Sequence, residues 1–442
     1  MNLKYILPML ASATMMLNAQ AKQDKPNIII IYPDDMGYGD LGLTGHPDIK
    51  TPHLDRMALD GMRFTNYYSA SPASTASRYS LLTGKYPVRA GFRWVLNPDS
   101  DRGIHPKEHT LAEAMKEQGY ATAIFGKWHL GSTKHEYLPL QNGFDEYVGL
   151  PYSNDMIPPK YPDIALMNGN DTIEMNPDQS ILTELYTDLS IDFIKRNRDN
   201  RFFVYIPYAM PHVPLYPGKD FVGKSKRGPY GDAVEEIDYH VGRLLRLLKD
   251  EGLESNTIVW FMSDNGPWIL KEEEGGSAGL FRDGKGSTWE GGMRVPCIVQ
   301  WPTHIKSEIN EDVVNAMDVY ATCISLAGGS VAGEYEVDGV DVSSLLKNDA
   351  DKVSKSDVPF FYYGIDHKLM AVRLGNWKLH VGTYSQIGAK YFGDKLPLLF
   401  NIYVDPSEKY DVSDKHPELV DKLSALIDRQ MKTIDRQDTF YD

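Results

Sequence analysis

Two unbroken apolar runs that end in acidic residues constrain the fold more than any other feature of this 442-residue chain. Asn27–Tyr32 (NIIIIY) leads into Asp34 and Asp35, and Thr257–Met262 (TIVWFM) leads into the sequence SDNG, which contains Asp264. Runs of this kind, without polar alternation, are typical of strands buried on both faces of a parallel sheet. Because the carboxyl ends of parallel strands meet at one edge of a sheet, we expect the acidic residues to lie together.

These strand-end acids predict a metal site. Asp34, Asp35 and Asp264 offer carboxylate oxygens, and Asn265 offers an amide oxygen. Adjacent carboxylates repel each other unless a cation lies between them, and hard oxygen donors suit Ca²⁺ or Mg²⁺ rather than Zn²⁺. The alternative is a pair of solvated turns, in which Asp is common. The repetition of the pattern favours the metal site.

The remaining pattern of residues 22–346 predicts an α/β domain. Apolar residues at helical spacing indicate helices over Thr183–Lys195 and Asp232–Glu251. Further buried strands are predicted at Ala121–Phe125, Phe202–Ile206 and Cys297–Trp301. Strands that alternate with helices in this way are typical of a mostly parallel sheet with helices on both faces.

A smaller C-terminal domain is predicted for residues 347–442, which begin with the polar stretch KNDADKVSKSD. Short strand-like segments follow at Phe360–Tyr363, Leu369–Arg373 and Lys378–Val381. A last amphipathic helix is predicted over Glu418–Arg436. Strands followed by a helix indicate an α+β unit with an antiparallel sheet.

Residues 1–21 have the pattern of a secretory signal peptide. One lysine precedes an apolar run that ends in Ala19-Gln20-Ala21, a small-x-small cleavage sequence. The run is too short for a transmembrane anchor, and no cysteine follows it to carry a lipid. We therefore expect an exported protein without a membrane anchor. The alternative, a buried N-terminal helix, accounts less well for the Ala-Gln-Ala ending.

Charge and cysteine content exclude several classes of protein. The chain has 61 acidic and 46 basic residues, a net charge of −15, so it is a poor general binder of nucleic acid or anionic membranes. An anion would need positive charge gathered in one local site. Cys297 and Cys323 both lie in apolar runs and are predicted to be buried thiols, with a single bridge between them left open.

The segment STASRYSLLTGKYP, which begins at Ser74, is a small-residue loop that opens a helix. Arg78 lies one helical turn after Ser74. A helix N-terminus with an arginine forms an anion pocket, in which Ser74 could act as a nucleophile. The alternative is a capped helix that carries a surface arginine.

This segment resembles the signature of the type I sulfatases, C/S-x-P/A-x-R-x-x-x-L-T-G. Its positions are filled in order by Ser74, Ala76, Arg78, Leu82, Thr83 and Gly84. Further family-like motifs, among them GKWHLG, GFDEYVGLPYSND, MPHVPLY, SDNGP and GKGSTWEGGMRVP, extend the resemblance over nearly the whole mature chain. GKWHLG and GKGSTWEGGMRVP are most similar to arylsulfatase A and N-acetylgalactosamine-6-sulfatase. Serine at the first signature position resembles the serine-type bacterial members.

The resemblance implies an alkaline-phosphatase-like fold, with a mixed, mostly parallel sheet sandwiched by helices and a smaller C-terminal α+β domain. It also implies one Ca²⁺ ion, held by Asp34, Asp35, Ser74, Asp264 and Asn265. The sulfate group would contact Arg78, Lys127, His129, His212 and Lys285. Fixed cations suit this role because the transition state of sulfate transfer carries negative charge on its oxygens.

The resemblance further implies that Ser74 is oxidised to formylglycine (3-oxoalanine), in bacteria by an anaerobic sulfatase-maturating enzyme. One hydroxyl of the hydrated aldehyde would attack sulfur while His212 protonates the departing sugar oxygen. His129 would then take the proton from the second hydroxyl, which releases sulfate. An unmodified serine has only one hydroxyl and could not complete the second step.

The sequence therefore predicts a periplasmic sulfatase of sulfated glycans, with a sulfated carbohydrate as substrate and no nucleic-acid partner. The resemblance favours a terminal galactose or N-acetylgalactosamine sulfate. Asn154, Asp155 and His367 are candidate substrate contacts, with Trp94 as a further aromatic option, and the alternative for each is an ordinary surface residue. Two other functions stay open: a phosphatase or phosphodiesterase that uses Ser74 directly, and a non-catalytic protein that binds sulfated glycans.

Overall fold

The computed structural model describes residues 25–92, 94–331, 337–347 and 355–434. The predicted signal peptide lies outside the described residues. The described chain forms one ten-stranded sheet and a separate four-stranded antiparallel sheet nearer the C-terminus. This arrangement, with helices packed on the large sheet, confirms the predicted fold class.

The large sheet is mixed and mostly parallel. Its strands are β1 (Asn27–Ile31), β2 (Met62–Tyr68), β3 (Ala121–Phe125), β4 (Glu146–Gly149), β5 (Ala165–Asn168), β6 (Asp171–Met175), β7 (Phe202–Ile206), β8 (Thr257–Met262), β9 (Cys297–Gln300) and β10 (Glu308–Asn315). Their spatial order is β10-β2-β9-β8-β1-β7-β3-β4-β5-β6. β5 and β9 run opposite to the other strands.

Helices cover both faces of the large sheet. The α-helices of the described chain are α1 (Pro52–Asp60), α2 (Ser74–Thr83), α3 (Leu111–Glu117), α4 (Leu182–Arg196), α5 (Pro229–Asp250), α6 (Glu290–Met293), α7 (Ala316–Leu326), α8 (Ser343–Leu346) and α9 (Pro417–Ile434). Ile28 and Ile30 of β1 enter a core with residues of α2, α3 and α7, whereas Ile29 and Ile31 enter a second core with residues of α1, α4 and α5. Because each of the four isoleucines of β1 faces one core or the other, the strand is apolar after Asn27.

The C-terminal unit is a small antiparallel sheet with one long helix. Its strands are β11 (Phe360–Tyr363), β12 (Leu369–Leu374), β13 (Trp377–His380) and β14 (Leu398–Asn401), in that spatial order. Helix α9 buries Leu423 and Ile427 in the core that it shares with the large sheet. The three strands and the helix predicted here are present, and β14 is an addition.

A buried ionic network joins the two sheets. Glu290, the first residue of α6, accepts hydrogen bonds from Lys378 Nζ at 2.9 Å and from Arg294 Nη1 at 3.2 Å. Lys378 also lies 2.9 Å from the carboxylate of Glu408, which in turn accepts a 2.7 Å hydrogen bond from the Glu290 backbone N–H. Each buried charge in this network therefore has an opposite partner, as burial requires.

Two sequence expectations concern the molecule as a whole. No helix among the described residues is long and apolar enough to span a membrane. Cys297 and Cys323 are both buried and both unpaired thiols, so the bridge that the sequence left open is absent from the structure.

Candidate active site

The two acidic strand ends lie side by side. Strands β1 and β8 are parallel neighbours, with Ile31 paired to Phe261, so the residues that follow them meet at one edge of the sheet. The Asp35 backbone N–H donates to Asp264 Oδ1 at 3.0 Å, and Asn265 Nδ2 donates to Asp35 Oδ1 at 2.7 Å. These acidic and amide side chains are buried. The structure therefore brings together the groups that the sequence marked as metal ligands.

Ser74 is the first residue of α2 and points at this edge. Its Oγ lies 2.8 Å from Asp34 Oδ1 and 3.4 Å from Asn265 Oδ1. Helix α2 is buried along its whole length, and Gly84 ends it with a left-handed φ of +70°. The side chain of Ser74 is thus held at the inner surface of the site.

Two buried cations neutralise the carboxylates on this side. Arg78, one turn after Ser74, lies with Nη2 2.9 Å from Asp264 Oδ2 and 3.4 Å from Asp34 Oδ2. Lys127, which follows β3, forms a close ion pair with Asp34 and donates to Ser153 Oγ at 3.1 Å. Ser153 was not singled out from the sequence, because a serine beside a glycine-rich loop gives no distinctive signal.

A second pair of groups surrounds Asp35. Lys285 Nζ donates to Asp35 Oδ2 at 2.8 Å, and His212 Nε2 lies 3.6 Å from the same oxygen. His212 Nδ1 lies 2.5 Å from the carbonyl oxygen of Val213, which fixes the ring orientation. Trp268 packs beside both groups: its ring lies 5.5 Å from the His212 ring, and Lys285 Nζ lies 4.6 Å from its centroid.

His129 occupies a different position from His212. Its backbone has a left-handed φ of 60°, and its Nε2 lies 3.0 Å from the carbonyl oxygen of Leu96. Its Nδ1 is buried without a hydrogen-bond partner in the described chain. Burial, together with the charges of Lys127 and Arg78, holds the pKa of His129 well below its usual range. The ring is therefore neutral and has a nitrogen available to a ligand.

The charges of the site shift the carboxylate pKa values in opposite directions. Burial alone would raise the pKa of Asp34, but Lys127, His212 and Arg78 hold it well below its usual range. Burial and the neighbouring charge of Asp34 raise the pKa of Asp264 to about 7. Asp264, the third buried carboxylate of the site, is thus difficult to ionise without an added cation.

The donor set fits a hard cation. One ligand atom from each of Asp34, Asp35 and His212 lies within 4.8 Å of the other two. Three carboxylates balance the three cations of the site, Arg78, Lys127 and Lys285. A divalent cation would therefore leave a surplus of two positive charges, which suits an anionic ligand.

A cavity of about 270 Å³ opens over these residues and is lined by Ser74, His129, His212 and Lys285, with Asp155 and Trp94 further along. Asn154 lies behind the wall, because its Nδ2 donates to the carbonyl oxygens of His212 at 3.4 Å and Pro214 at 3.2 Å.

His367 lies in the turn between β11 and β12, outside the residues that line the cavity. Of the three predicted substrate contacts, only Asp155 is therefore placed on the cavity surface. The cavity also includes Trp268, Tyr384 and Gln386, which sequence reasoning missed. Tyr384 and Gln386 come from the C-terminal unit, and no local pattern signals that their segment reaches the site.

Comparison with known proteins gives concordant matches. The chain matches the family model described as Sulfatase over residues 26–330 and the model described as C-terminal region of aryl-sulfatase over residues 354–442. It is 38% identical to N-acetylgalactosamine-6-sulfatase of Mus musculus, over 95% of this chain and 88% of that protein. It is 36% identical to arylsulfatase A of Bos taurus, over 90% of this chain and 85% of that protein.

Solved structures agree with these matches. PsFucS1 sulfatase from Pseudoalteromonas sp. has a TM-score of 0.85 and 27% identity, over 96% of this chain and 94% of that chain. Ps i-CgsB, solved in complex with k-i-k-neocarrahexaose, has a TM-score of 0.81 and 29% identity, over 95% of each chain.

Proposed function

The chain belongs to the sulfatase family, and we propose that it is an exported carbohydrate sulfatase that acts through an oxidised Ser74 and one Ca²⁺ ion. The position of Ser74 carries the proposal. Its hydroxyl lies 2.8 Å from Asp34 Oδ1 in the cavity wall, and Arg78 and Lys127 pair with the same carboxylate group. A sulfate ester that reached Ser74 would therefore enter a site built for negative charge.

Asp34, Asp35, Asp264 and Asn265 would hold the Ca²⁺ ion, with residue 74 as a further oxygen ligand. The support is the set of buried oxygen donors at one sheet edge and the raised pKa of Asp264, which an added cation would lower. When bound, the ion supplies Lewis-acid stabilisation of charge on the sulfate oxygens. Formylglycine at residue 74 supplies two hydroxyls, as its hydrate, in place of one.

The other residues of the site have separable roles. Arg78, Lys127 and Lys285 bind the sulfate oxygens and stabilise the charge that develops on them. His212 donates a proton from Nε2 to the departing sugar oxygen, because its Nδ1 is occupied by the Val213 carbonyl. His129 accepts a proton at Nδ1, the nitrogen that has no partner in the described chain. Lys285, the proposed acid and the proposed base therefore line one cavity, and Arg78 and Lys127 lie behind its wall, paired with Asp34.

A sugar sulfate is the proposed class of substrate. N-acetylgalactosamine-6-sulfatase is among the relatives, and Ps i-CgsB was solved with k-i-k-neocarrahexaose bound, which supports a terminal galactose or N-acetylgalactosamine sulfate. Asp155 in the cavity wall is the proposed polar contact to the sugar. We also propose that residues 1–21 direct export to the periplasm. Residues 22–346 would then form the catalytic domain and residues 347–442 its C-terminal partner.

The test is to prepare the protein with and without an anaerobic sulfatase-maturating enzyme and to measure intact mass and turnover together. Oxidation of Ser74 to the aldehyde removes about 2 Da. We expect multiple turnover of an aryl sulfate only in the oxidised preparation, and none in Ser74→Ala. Multiple turnover of an aryl sulfate or phosphate by protein with unmodified Ser74 would instead establish a direct serine mechanism. An oxidised protein that binds sulfated sugars without hydrolysis would be a binding protein.

A further inference from the structure

Aromatic side chains surround the outer part of the cavity. Trp94 and Tyr384 are 40% and 39% exposed, whereas Ser74 and His212 in the same lining are 1% and 3% exposed. A single exposed aromatic side chain is ordinary on a protein surface, but Trp94 and Tyr384 line the same cavity and so form one apolar patch at its opening. The cavity therefore has a charged inner end and an aromatic mouth.

The two exposed rings approach each other at the backbone next to Lys285. A Cβ atom added to Gly286 would lie 3.3 Å from Cη2 of Trp94 and 3.6 Å from Cε1 of Tyr384. Gly286 also has a φ of +86°, which L side chains rarely adopt. Because Gly286 has no side chain, both rings can pack against the segment that carries Lys285, the proposed sulfate-binding cation.

Trp268 connects this mouth to the inner end. It lines the cavity, packs against the ring of His212 and lies under the ammonium group of Lys285. A sugar oxygen protonated by His212 would leave from beside this indole. The aromatic lining therefore continues to the point where the ester bond breaks.

Gln386 fixes the wall that carries Tyr384. Its Nε2 donates to the carbonyl oxygen of Lys285 at 2.7 Å, and its Oε1 accepts from the Leu270 backbone N–H at 3.2 Å. Its own backbone N–H donates to Asp283 Oδ1 at 3.1 Å. Because both ends of the side-chain amide are engaged, Gln386 is a positioning residue that ties the C-terminal unit to two loops of the site.

We propose that Trp94, Trp268 and Tyr384 form a subsite for the sugar ring that bears the sulfate, and that this subsite admits a single terminal residue. The proposal rests on the proposed function. A sugar ring presents C–H groups on its faces, and these pack against the negative faces of aromatic rings. The cavity of about 270 Å³ is below the ~300–1,000 Å³ of sites for drug-sized ligands, so its walls enclose about one sugar ring.

The test measures binding to full-length protein with Ser74 left unoxidised, in Ca²⁺, so that turnover does not interfere. Tryptophan fluorescence is titrated with the 3-, 4- and 6-sulfates of galactose, glucose and their N-acetylated amino sugars, and with inorganic sulfate. We expect at least one sugar sulfate to bind roughly 10-fold more tightly than inorganic sulfate. Tyr384→Ala should weaken that sugar roughly 5- to 10-fold and leave the inorganic sulfate affinity unchanged.

Two further variants sharpen the result. Tyr384→Phe keeps the ring and should retain the affinity for the sugar. Tyr403→Ala is the matched control, because Tyr403 is a 66% exposed tyrosine of the same C-terminal unit that does not line the cavity. It should change neither affinity.

Three outcomes would overturn the subsite. In the first, no sugar sulfate of the panel binds more tightly than inorganic sulfate. In the second, Tyr384→Ala leaves the affinity for the sugar sulfate unchanged. In the third, the best sugar sulfate binds equally well when it is an internal residue of an oligosaccharide. Hydrolysis of an aryl sulfate by the oxidised enzyme is measured separately. If the oxidised wild-type enzyme does not hydrolyse an aryl sulfate, the proposed function is wrong. The binding titration tests the subsite alone.

Discussion

At the scale of single residues, Asp35 combines several side-chain partners with an uncommon backbone conformation. Its carboxylate contacts Lys285, Asn265 and His212, and its backbone has a φ of 62°. Positive φ is uncommon outside glycine, and so is maintained only where surrounding contacts stabilise it. His129, with a φ of 60°, is held in the same way. Two of the nine non-glycine residues with positive φ in the described parts of the chain therefore lie in the candidate site.

Replacement of Asp264 tests the metal assignment. Asp264→Asn removes one of the three buried carboxylates and the ion-pair partner of Arg78, so we expect kcat/KM of the oxidised enzyme to fall by roughly 100-fold or more. Bound Ca²⁺, measured by elemental analysis, should fall with it. Glu236→Gln, a change to a buried acid of α5, is the control and should keep both activity and Ca²⁺. Full activity and full Ca²⁺ content in Asp264→Asn would show that the ion is held elsewhere.

Replacement of His212 tests the identity of the general acid. His212→Ala should reduce hydrolysis of a sugar sulfate by roughly 100- to 10,000-fold. The effect on an activated aryl sulfate should be much smaller, since an aryl oxygen leaves without a proton. Burial and the charge of Lys285 lower the pKa of His212, so wild-type activity on the sugar sulfate should fall as pH rises. Equal losses on the two substrates would assign the proton to another group, with Lys285 the first to test.

At the scale of elements, the five central strands of the large sheet were predictable from the sequence and the outer five were not. β1 and β8 are fully buried, and their apolar runs define them within one residue. β6 is exposed at every position, so it lacks the unbroken apolar run by which β1 and β8 were recognised. The strand-end acids of the candidate site were visible in the same way, because they follow these central strands, whereas Lys127, His212 and Lys285 were found through the family resemblance. Tyr384 and Gln386 were not, because their place in the cavity depends on how two separate sheets pack.

The ionic network between the sheets predicts a pH dependence of stability. Burial alone would raise the pKa of Glu290, but Lys378, Arg294 and Arg373 lower it to about 2. Since this value is below that of an unfolded glutamate, the stabilisation is complete above about pH 4.5 and is lost as pH falls toward 2.

The free energy of unfolding should therefore decrease by up to about 1.4 kcal/mol per pH unit in that window through this one group. Denaturant titrations at pH 5.0, 4.0 and 3.0 measure the slope. Glu290→Gln should be less stable than wild type at pH 5.0 and should show a shallower slope below it. Parallel pH curves for the two proteins would mean that Glu290 does not titrate there.

At the scale of the whole molecule, the candidate active site differs in charge from the chain that contains it, because its cations balance its carboxylates. The chain carries a net charge of −15, yet Arg78, Lys127 and Lys285 are gathered in one buried cluster at the edge of the large sheet. Topology makes this possible, because the loops after β1, β3, β7 and β8 converge there. With a divalent cation bound, the site would attract the anionic group of a substrate while the remaining surface stays acidic.

Metal removal should lower the stability of the folded protein. A ligand that binds only the native state stabilises it by about 2.7 kcal/mol at 100 times its Kd. We therefore expect Tm to rise when Ca²⁺ is added to chelator-treated protein. Asp264→Asn should show little or no rise. The same Tm for wild-type protein in excess Ca²⁺ and in excess chelator would contradict a structural Ca²⁺ site.

Because the C-terminal unit contributes residues to the cavity wall, that wall is completed only late in synthesis of the chain. Ser74 is 1% exposed in the finished protein, so a modifying enzyme must reach it earlier. Tyr384 and Gln386, which complete the wall above it, leave the ribosome some three hundred residues later. While that last part of the chain is still being made, the wall over Ser74 is incomplete. If Ser74 is oxidised as proposed, the folding of the C-terminal unit onto the site would end the interval in which residue 74 is accessible to the modifying enzyme.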